Sequence, residues 1–146
     1  MTDLTEIMLN VCYGGFGLSN EAMEEYRRRC PGKDDVEDDS IDRHDSVMVN
    51  IVKEIGTQSA GAAFAEIRLV SIPSQYVKYY SINEYDGNES VTIHYNRYKI
   101  FSAKEALQNQ TLTTTDKLER LSAILYADLD KRGPHSEFTN RPRSFY

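Results

Sequence analysis

The dipeptide Asp86-Gly87 constrains this chain more than any other feature. It is flanked by two runs rich in tyrosine and β-branched residues, 76–85 and 88–96. Asp-Gly between alternating runs is a strong short-range signal for a β-hairpin, because the tight turn that matches strand twist needs positive φ at both central residues. A two-residue turn pairs Ile82 with Val91, Tyr80 with Ile93 and Lys78 with Tyr95, which makes one face apolar. The other face pairs Ser81 with Thr92 and Tyr79 with His94, and is polar. A slip of one residue would scramble both faces, so the pattern fixes the register. The same register sets Glu84 opposite Glu89, beside Asp86. Opposed like charges destabilise a ladder unless a cation, a basic side chain or open water relieves them.

A second signal lies near the start. Residues 6–12 alternate as a strand, with Ile7, Leu9 and Val11 against Met8 and Asn10. Tyr13-Gly14-Gly15-Phe16-Gly17 follows, and Ser19 then caps a helix, with Leu18 and Met23 placed for a hydrophobic staple. That helix puts Ala22, Met23, Tyr26 and Cys30 on one face, pairs Glu24 with Arg28 and Glu25 with Arg29 on the other, and stops at Pro31-Gly32. Residues 33–46 are crowded with aspartate and glutamate and read as a solvated, mobile loop. Asp45 or Ser46 caps a second helix ending at Gly56, with Val47, Met48, Ile51, Val52 and Ile55 as its stripe. Residues 57–63 read as a connection. Residues 65–72 form a strand with Ile67 and Leu69 on one side and Val70 and Ile72 on the other, hence a central strand covered on both faces. After the hairpin, Ser102 caps a short helix to Gln108. Thr114 or Thr115 caps a last helix to about Leu129, with Leu118, Leu121, Ala123, Ile124, Leu125 and Leu129 forming a broad apolar face.

The 146 residues suit one domain with a real core. We expect an α+β fold: a small, mostly antiparallel sheet with a β-hairpin at about 76–96, packed by three to four helices. The globular unit covers 1–130, and 131–146 is an extended basic-aromatic tail. A net charge of −6 argues against nucleic acid as a partner. No stretch is apolar enough to span a membrane or to act as a leader, so the chain reads as soluble. Cys12 and Cys30 are too few for a disulfide framework and point to a reducing compartment, with Cys12 a small core residue.

Three groupings are candidates for chemistry. Backbone N–H groups of Gly14, Gly15 and Gly17, with Ser19 at the helix start, have the position of an anion-binding loop. Glu89 and His94 on the hairpin complete a candidate ligand site. The loop is neither G-x-G-x-x-G nor a lysine-bearing phosphate loop, and a turn that lets strand and helix pack closely is the plainer reading. Glu84, Asp86 and Glu89 are a candidate cation site, against the plainer reading of a water-screened hairpin end. His94 has the chemistry of a general base, but no second histidine stands at a fixed spacing, and a hydrogen-bonded structural role accounts for it. No residue is assigned a catalytic role, and no cofactor or metal is called for. In the tail, Arg141, Arg143, Phe145 and Tyr146 suit docking on an acidic partner or a neighbouring subunit.

The segments Val11-Cys12-Tyr13-Gly14-Gly15-Phe16-Gly17-Leu18-Ser19, Ala65-Glu66-Ile67-Arg68-Leu69-Val70-Ser71-Ile72-Pro73 and Asn83-Glu84-Tyr85-Asp86-Gly87-Asn88-Glu89 resemble a family of small uncharacterised proteins of tailed bacteriophages and large DNA viruses. The likeness runs from about residue 10 to 98. It implies a viral origin and no particular chemistry. The expectation is a non-enzymatic viral binding or assembly module, in the virion or the host-cell cytoplasm, docking on viral or host proteins through its tail and hairpin face and compatible with a homo-oligomer. The alternatives are an accessory protein that binds a host factor or a small anionic ligand at the glycine loop, and, third, an enzyme.

Overall fold

A computed structural model describes residues 2–126 and the backbone of Glu137–Phe138. Strand β1 (Leu4–Asn10) runs through the middle and pairs antiparallel with β2 (Ile67–Pro73), Ile7 opposite Val70 and Met8 opposite Leu69. Side chains alternate across a strand, so this ladder has two faces, and both are apolar. Met8 and Ile67 join Leu18, Ala22, Met23, Tyr26, Met48, Ile51 and Val52 in one cluster, with Leu69 packed against it. Ile7, Leu9, Val11 and Ile72 join Tyr76, Val91 and Ile93 in another. Ile7, Met8 and Leu9 are wholly buried, each worth roughly 1.5–3 kcal/mol of transfer free energy. The strand expected at 65–72 is covered on both faces, but among the described residues it is not central: it is one edge of a two-stranded wall between two cores.

The first core is closed by helices α1 (Asn20–Arg29), α2 (Ser46–Ile55) and the short α3 (Thr57–Ala60), the last lying in the expected connection. Ser19 accepts the Ala22 N–H at 3.2 Å and Asp45 accepts the Met48 N–H at 2.9 Å, as N-caps should. On the outer face of α1, Arg28 reaches Glu25 rather than Glu24, while Arg29 bridges Glu25 and Glu54 of α2.

The hairpin β3 (Tyr80–Tyr85) and β4 (Asn88–Ile93) has the register the faces demanded, with Ile82 opposite Val91, Tyr80 opposite Ile93 and Glu84 opposite Glu89. Asp86 and Gly87 take φ of 50° and 86°. The ladder stops at Tyr80 and Ile93, with a last backbone bond from the His94 N–H to the Tyr79 carbonyl. The Lys78–Tyr95 pair does not form, because Tyr95 opens α4 (Tyr95–Gln108). Coiling there brings the Tyr95 and Tyr98 rings edge-on to the buried Tyr76 ring, at 4.9 and 5.0 Å, which an extended chain would not do. The helix therefore starts seven positions before Ser102.

The strands make two ladders because the outer edge of β1 is occupied. The Met8 N–H donates to the Arg43 carbonyl and the Asn10 N–H to the Glu89 carboxylate. The hairpin meets β1 through side chains, and β5 (Glu137–Phe138) pairs antiparallel with β4.

Two expectations are corrected. Residues 33–46 are tied down: Val36 and Ile41 turn inward, half-buried Asp38 accepts the Leu18 N–H at 3.0 Å, and Glu37 and Asp39 are exposed. Two apolar residues spaced across an acidic run are enough to give it an inner side. Helix α5 (Thr114–Tyr126) is capped by Thr113, whose hydroxyl and N–H exchange bonds with Asp116. Its apolar stripe does not reach either core. No α5 residue is buried, and Leu118 and Leu125 are 61% and 56% exposed. Leu129 and the expected boundary at 130 lie outside the described residues. Among the described residues, no helix is long and apolar enough to cross a membrane.

Candidate functional site

The glycine loop, the Asp86-Gly87 turn and the segment before β2 meet at one end of the molecule. A Cβ on Gly14 would stand 1.6 Å from the Phe64 carbonyl oxygen, and one on Gly87 would stand 2.5 Å from the Gly15 nitrogen. Three backbones therefore touch where side chains would keep them apart. Asn10 fastens them. Its amide donates to the carbonyls of Cys12 and Gly87 at 2.8 and 2.6 Å, and its oxygen accepts the Glu66 N–H at 2.8 Å. Cys12 is only half-buried, and its thiol donates to the Asn10 side-chain oxygen and the Phe64 carbonyl.

Glu89 fastens the same end from beneath. Only 7% exposed, it accepts the Asn10 N–H at 2.9 Å and two guanidinium N–H groups of Arg43 at 2.6 and 2.8 Å. Arg43 in turn lies 3.4 Å over the Phe16 ring of the glycine loop. This fork-to-fork pairing with a stacked aromatic suits arginine and would not suit lysine. The like-charge conflict of Glu84 and Glu89 is relieved by a basic side chain, one contributed from 46 positions away.

The geometry settles where each candidate residue stands. Gly14, Gly15, Gly17 and Glu89 come together; His94 does not join them. It sits five residues along β4 from Glu89, about 17 Å at strand spacing, and its Nε2 lies 2.8 Å from the Ser81 hydroxyl. Among the described residues no carboxylate holds its other ring nitrogen, so this contact knits the hairpin's polar face, as the Asn83–Thr92 bond does. At the end of the glycine loop the Leu18 N–H is taken by the Asp38 carboxylate at 3.0 Å. The Ser19 N–H goes to the Ala60 carbonyl. The carboxylates of the cation reading are engaged likewise. Glu89's oxygens are filled by N–H groups, and Glu84 accepts the N–H of Gly87 at 2.7 Å. Among the described residues no cluster of acids, histidines or cysteines is arranged to hold a metal. Arg141, Arg143, Phe145 and Tyr146 lie outside the described residues.

Sequence reasoning missed Arg43, although a signal existed: it is the only lysine or arginine between Lys33 and Lys53, and the Glu84–Glu89 opposition called for a base. It also missed His44, whose Nδ1 lies 2.7 Å from the Tyr80 hydroxyl. Burial, reinforced by the charge of Asp42, pushes the Tyr80 phenol up to about 12.

What the site offers outward is aromatic and acidic. Tyr13, Phe64 and Tyr85 are 62%, 57% and 81% exposed around the three-loop contact, with Glu66, Glu84 and Asp86 exposed beside them. A second apolar surface lies on α4 and α5, where Ile100, Phe101, Leu107, Leu118, Leu125 and Tyr126 are all exposed. A cleft of about 530 Å³ between these helices is lined by Tyr98, Ser102, Ala106, Asn109, Arg120 and Ile124. No protein-family model matches the chain, and neither a curated protein nor a solved structure matches it.

Proposed function

We propose that the chain is a small non-enzymatic viral binding and assembly module, held against another protein by the outer face of its α4–α5 helical hairpin. One observation carries this reading: α5 has a regular apolar stripe of which no residue is fully buried, and Leu118, Leu125 and the adjoining Tyr126 stand more than half exposed. Of the ten large apolar side chains exposed among the described residues, six stand on these two helices. Contiguous exposed apolar surface on a small protein marks an interaction site. Each of the six is about half exposed, so covering it recovers roughly 1 kcal/mol. Together they supply roughly 6 kcal/mol, near the lower figures for the cost of association, so the partner must add polar contacts of its own. Lys117, Glu119 and Arg120 on α5 are placed to make them. The viral setting, in a virion or a host cytoplasm, rests on the motif resemblance over residues 10–98.

The test is a pull-down from infected host cells with the whole chain and with Ile100→Ser/Leu118→Ser/Leu125→Ser. These residues are exposed, so the variant should melt as the parent does. Loss of a partner that the parent retains, present also in purified particles, supports the reading. Recovery of the same proteins by both chains overturns it.

A further inference from the structure

We infer that the outer edge of β2 pairs with the same edge of a second copy of this chain, antiparallel about a two-fold axis at Val70, to give a sheet in the order β1-β2-β2-β1. This concerns a backbone edge and stands apart from the α4–α5 reading.

Hydrogen-bond alternation along the wall shows which groups face outward. The N–H groups of Met8 and Asn10 leave β1 on the side away from β2, for the Arg43 carbonyl and the Glu89 carboxylate. Antiparallel neighbours alternate between bonded and non-bonded pairs. Leu69 opposite Met8, and Ile67 opposite Asn10, therefore also turn their N–H and C=O groups away from the ladder. Ser71, opposite Glu6, follows the same alternation. The bonds at the two ends of the ladder agree: the Val11 N–H goes to the Glu66 carbonyl and the Ser74 N–H to the Asp3 carbonyl. Among the described residues no group takes up the outward N–H of Leu69 or of Ser71. The outer edge of β1 is closed and that of β2 is open, and an open edge is a template for another strand.

What the edge carries suits a second copy. From Leu69 to Pro73 the strand has no charge, so a chain of net charge −6 meets itself here without opposed carboxylates. A two-fold at Val70 sets Leu69 of each copy opposite Ser71 of the other, and each residue both donates and accepts. Val70, half-buried, meets its own counterpart, and β-branched side chains pack well in such a pair. Pro73 has no N–H and falls at the end of the pairing, opposite Ile67, where proline is tolerated. Arg68 is the strand's one charge. The axis at Val70 places it opposite Ile72 and well away from the other copy's Arg68. An axis at Leu69 would serve the same N–H groups but bring the arginines together diagonally, so charge decides the register.

The test uses the full chain, by sedimentation over a range of concentrations and by hydrogen exchange read at single amides. The mass should climb from one chain toward two as concentration rises. Over the same range exchange at Leu69 and Ser71 should slow severalfold, while Arg68 and Val70, whose N–H groups face β1, stay protected throughout. Ser71→Pro removes an outward N–H and should hold the protein at the mass of one chain. Ser71→Lys keeps that N–H but sets ammonium groups diagonally across the axis, and should weaken the dimer more at low salt than at high. Ser71 is exposed, so both variants should melt as the parent does when dilute. A mass of one chain at every concentration overturns the inference, and so does a dimer that survives Ser71→Pro. A dimer in which Leu69 and Ser71 exchange as fast as in dilute protein overturns it by placing the contact elsewhere. Protection of those two amides that dilution leaves unchanged overturns it too, since a segment of the same chain would then cover the edge.

Discussion

Replacing Glu89 by glutamine asks how much the hidden ion pair holds together. The carboxylate receives three N–H groups, two of them from a cation, and is almost wholly buried. Glutamine keeps one acceptor oxygen and turns an NH₂ toward a guanidinium that can only donate. Removing one member of a buried pair costs about 3–5 kcal/mol, because the other charge is stranded. Arg43 is 22% exposed and keeps its place over Phe16, so it regains some water, and we expect about 3 kcal/mol. Urea unfolding of the parent and variant should show that loss as a lower midpoint at unchanged slope. A cycle sharpens the result. Arg43→Met alone strands Glu89 and should cost a similar amount. The double variant strands neither and should cost less than the sum of the two by about 2 kcal/mol. A loss below about 1 kcal/mol for Glu89→Gln, or additive single losses, refutes the claim that this pair joins the hairpin to β1.

Other substitutions probe the rest of the structure. Gly14→Ala would drive a Cβ into the Phe64 carbonyl and should cost more than 3 kcal/mol or roughly prevent folding. Gly15→Ala meets open space and should cost only its left-handed φ, about 1–2 kcal/mol; equal unfolding midpoints for the two would contradict the close backbone contact. Asp45→Ala loses the α2 cap and the acceptor of the Tyr26 hydroxyl, about 2 kcal/mol in denaturant titration, while Asp45→Asn should keep most of it. Glu25 is held down from 4.5 to about 2 by hydrogen bonds from Arg28, then Arg29. A depressed acid stabilises the fold above its unfolded value and ceases to as pH falls from about 4.5 toward 2. Melting temperatures at low salt should therefore fall less steeply across that window in Glu25→Gln than in the parent, and an identical slope would count against the α1 ion cluster.

The legible parts of the fold were those decided within a few residues or by a repeating pattern. Ser19 and Asp45 announce helix starts because a short polar side chain must meet an orphan N–H nearby. The hairpin register followed from matching faces, and the two-sided apolar pattern of 67–72 correctly gave a strand covered twice. Distance hid the rest. The pairing of Ile7 with Val70 and of Arg43 with Glu89 joins segments far apart in sequence, and no local pattern says which carbonyl will cap the Met8 N–H. The hairpin run reads on to residue 96, but the rings of Tyr95 and Tyr98, packing on Tyr76, coil the chain into α4 from Tyr95. In α5, amphipathic spacing identifies an apolar side without saying what lies against it, and Leu118 and Leu125 reach neither core. At the junction, the closely spaced glycines pointed to close approach, and only the coordinates say that the neighbour is the chain's own backbone.

Because β1 is the wall between both cores, the ribosome delivers the middle of this molecule first and its surroundings last. At about 5–20 residues per second, β2 begins to emerge roughly three to eleven seconds after β1 is complete. The Arg43 carbonyl can shelter one edge of the nascent ribbon before then, but Glu89 arrives later still. Ile7, Met8 and Leu9 wait in water through that interval, so translation speed between codons 11 and 66 should govern how much of this protein reaches its native state without assistance.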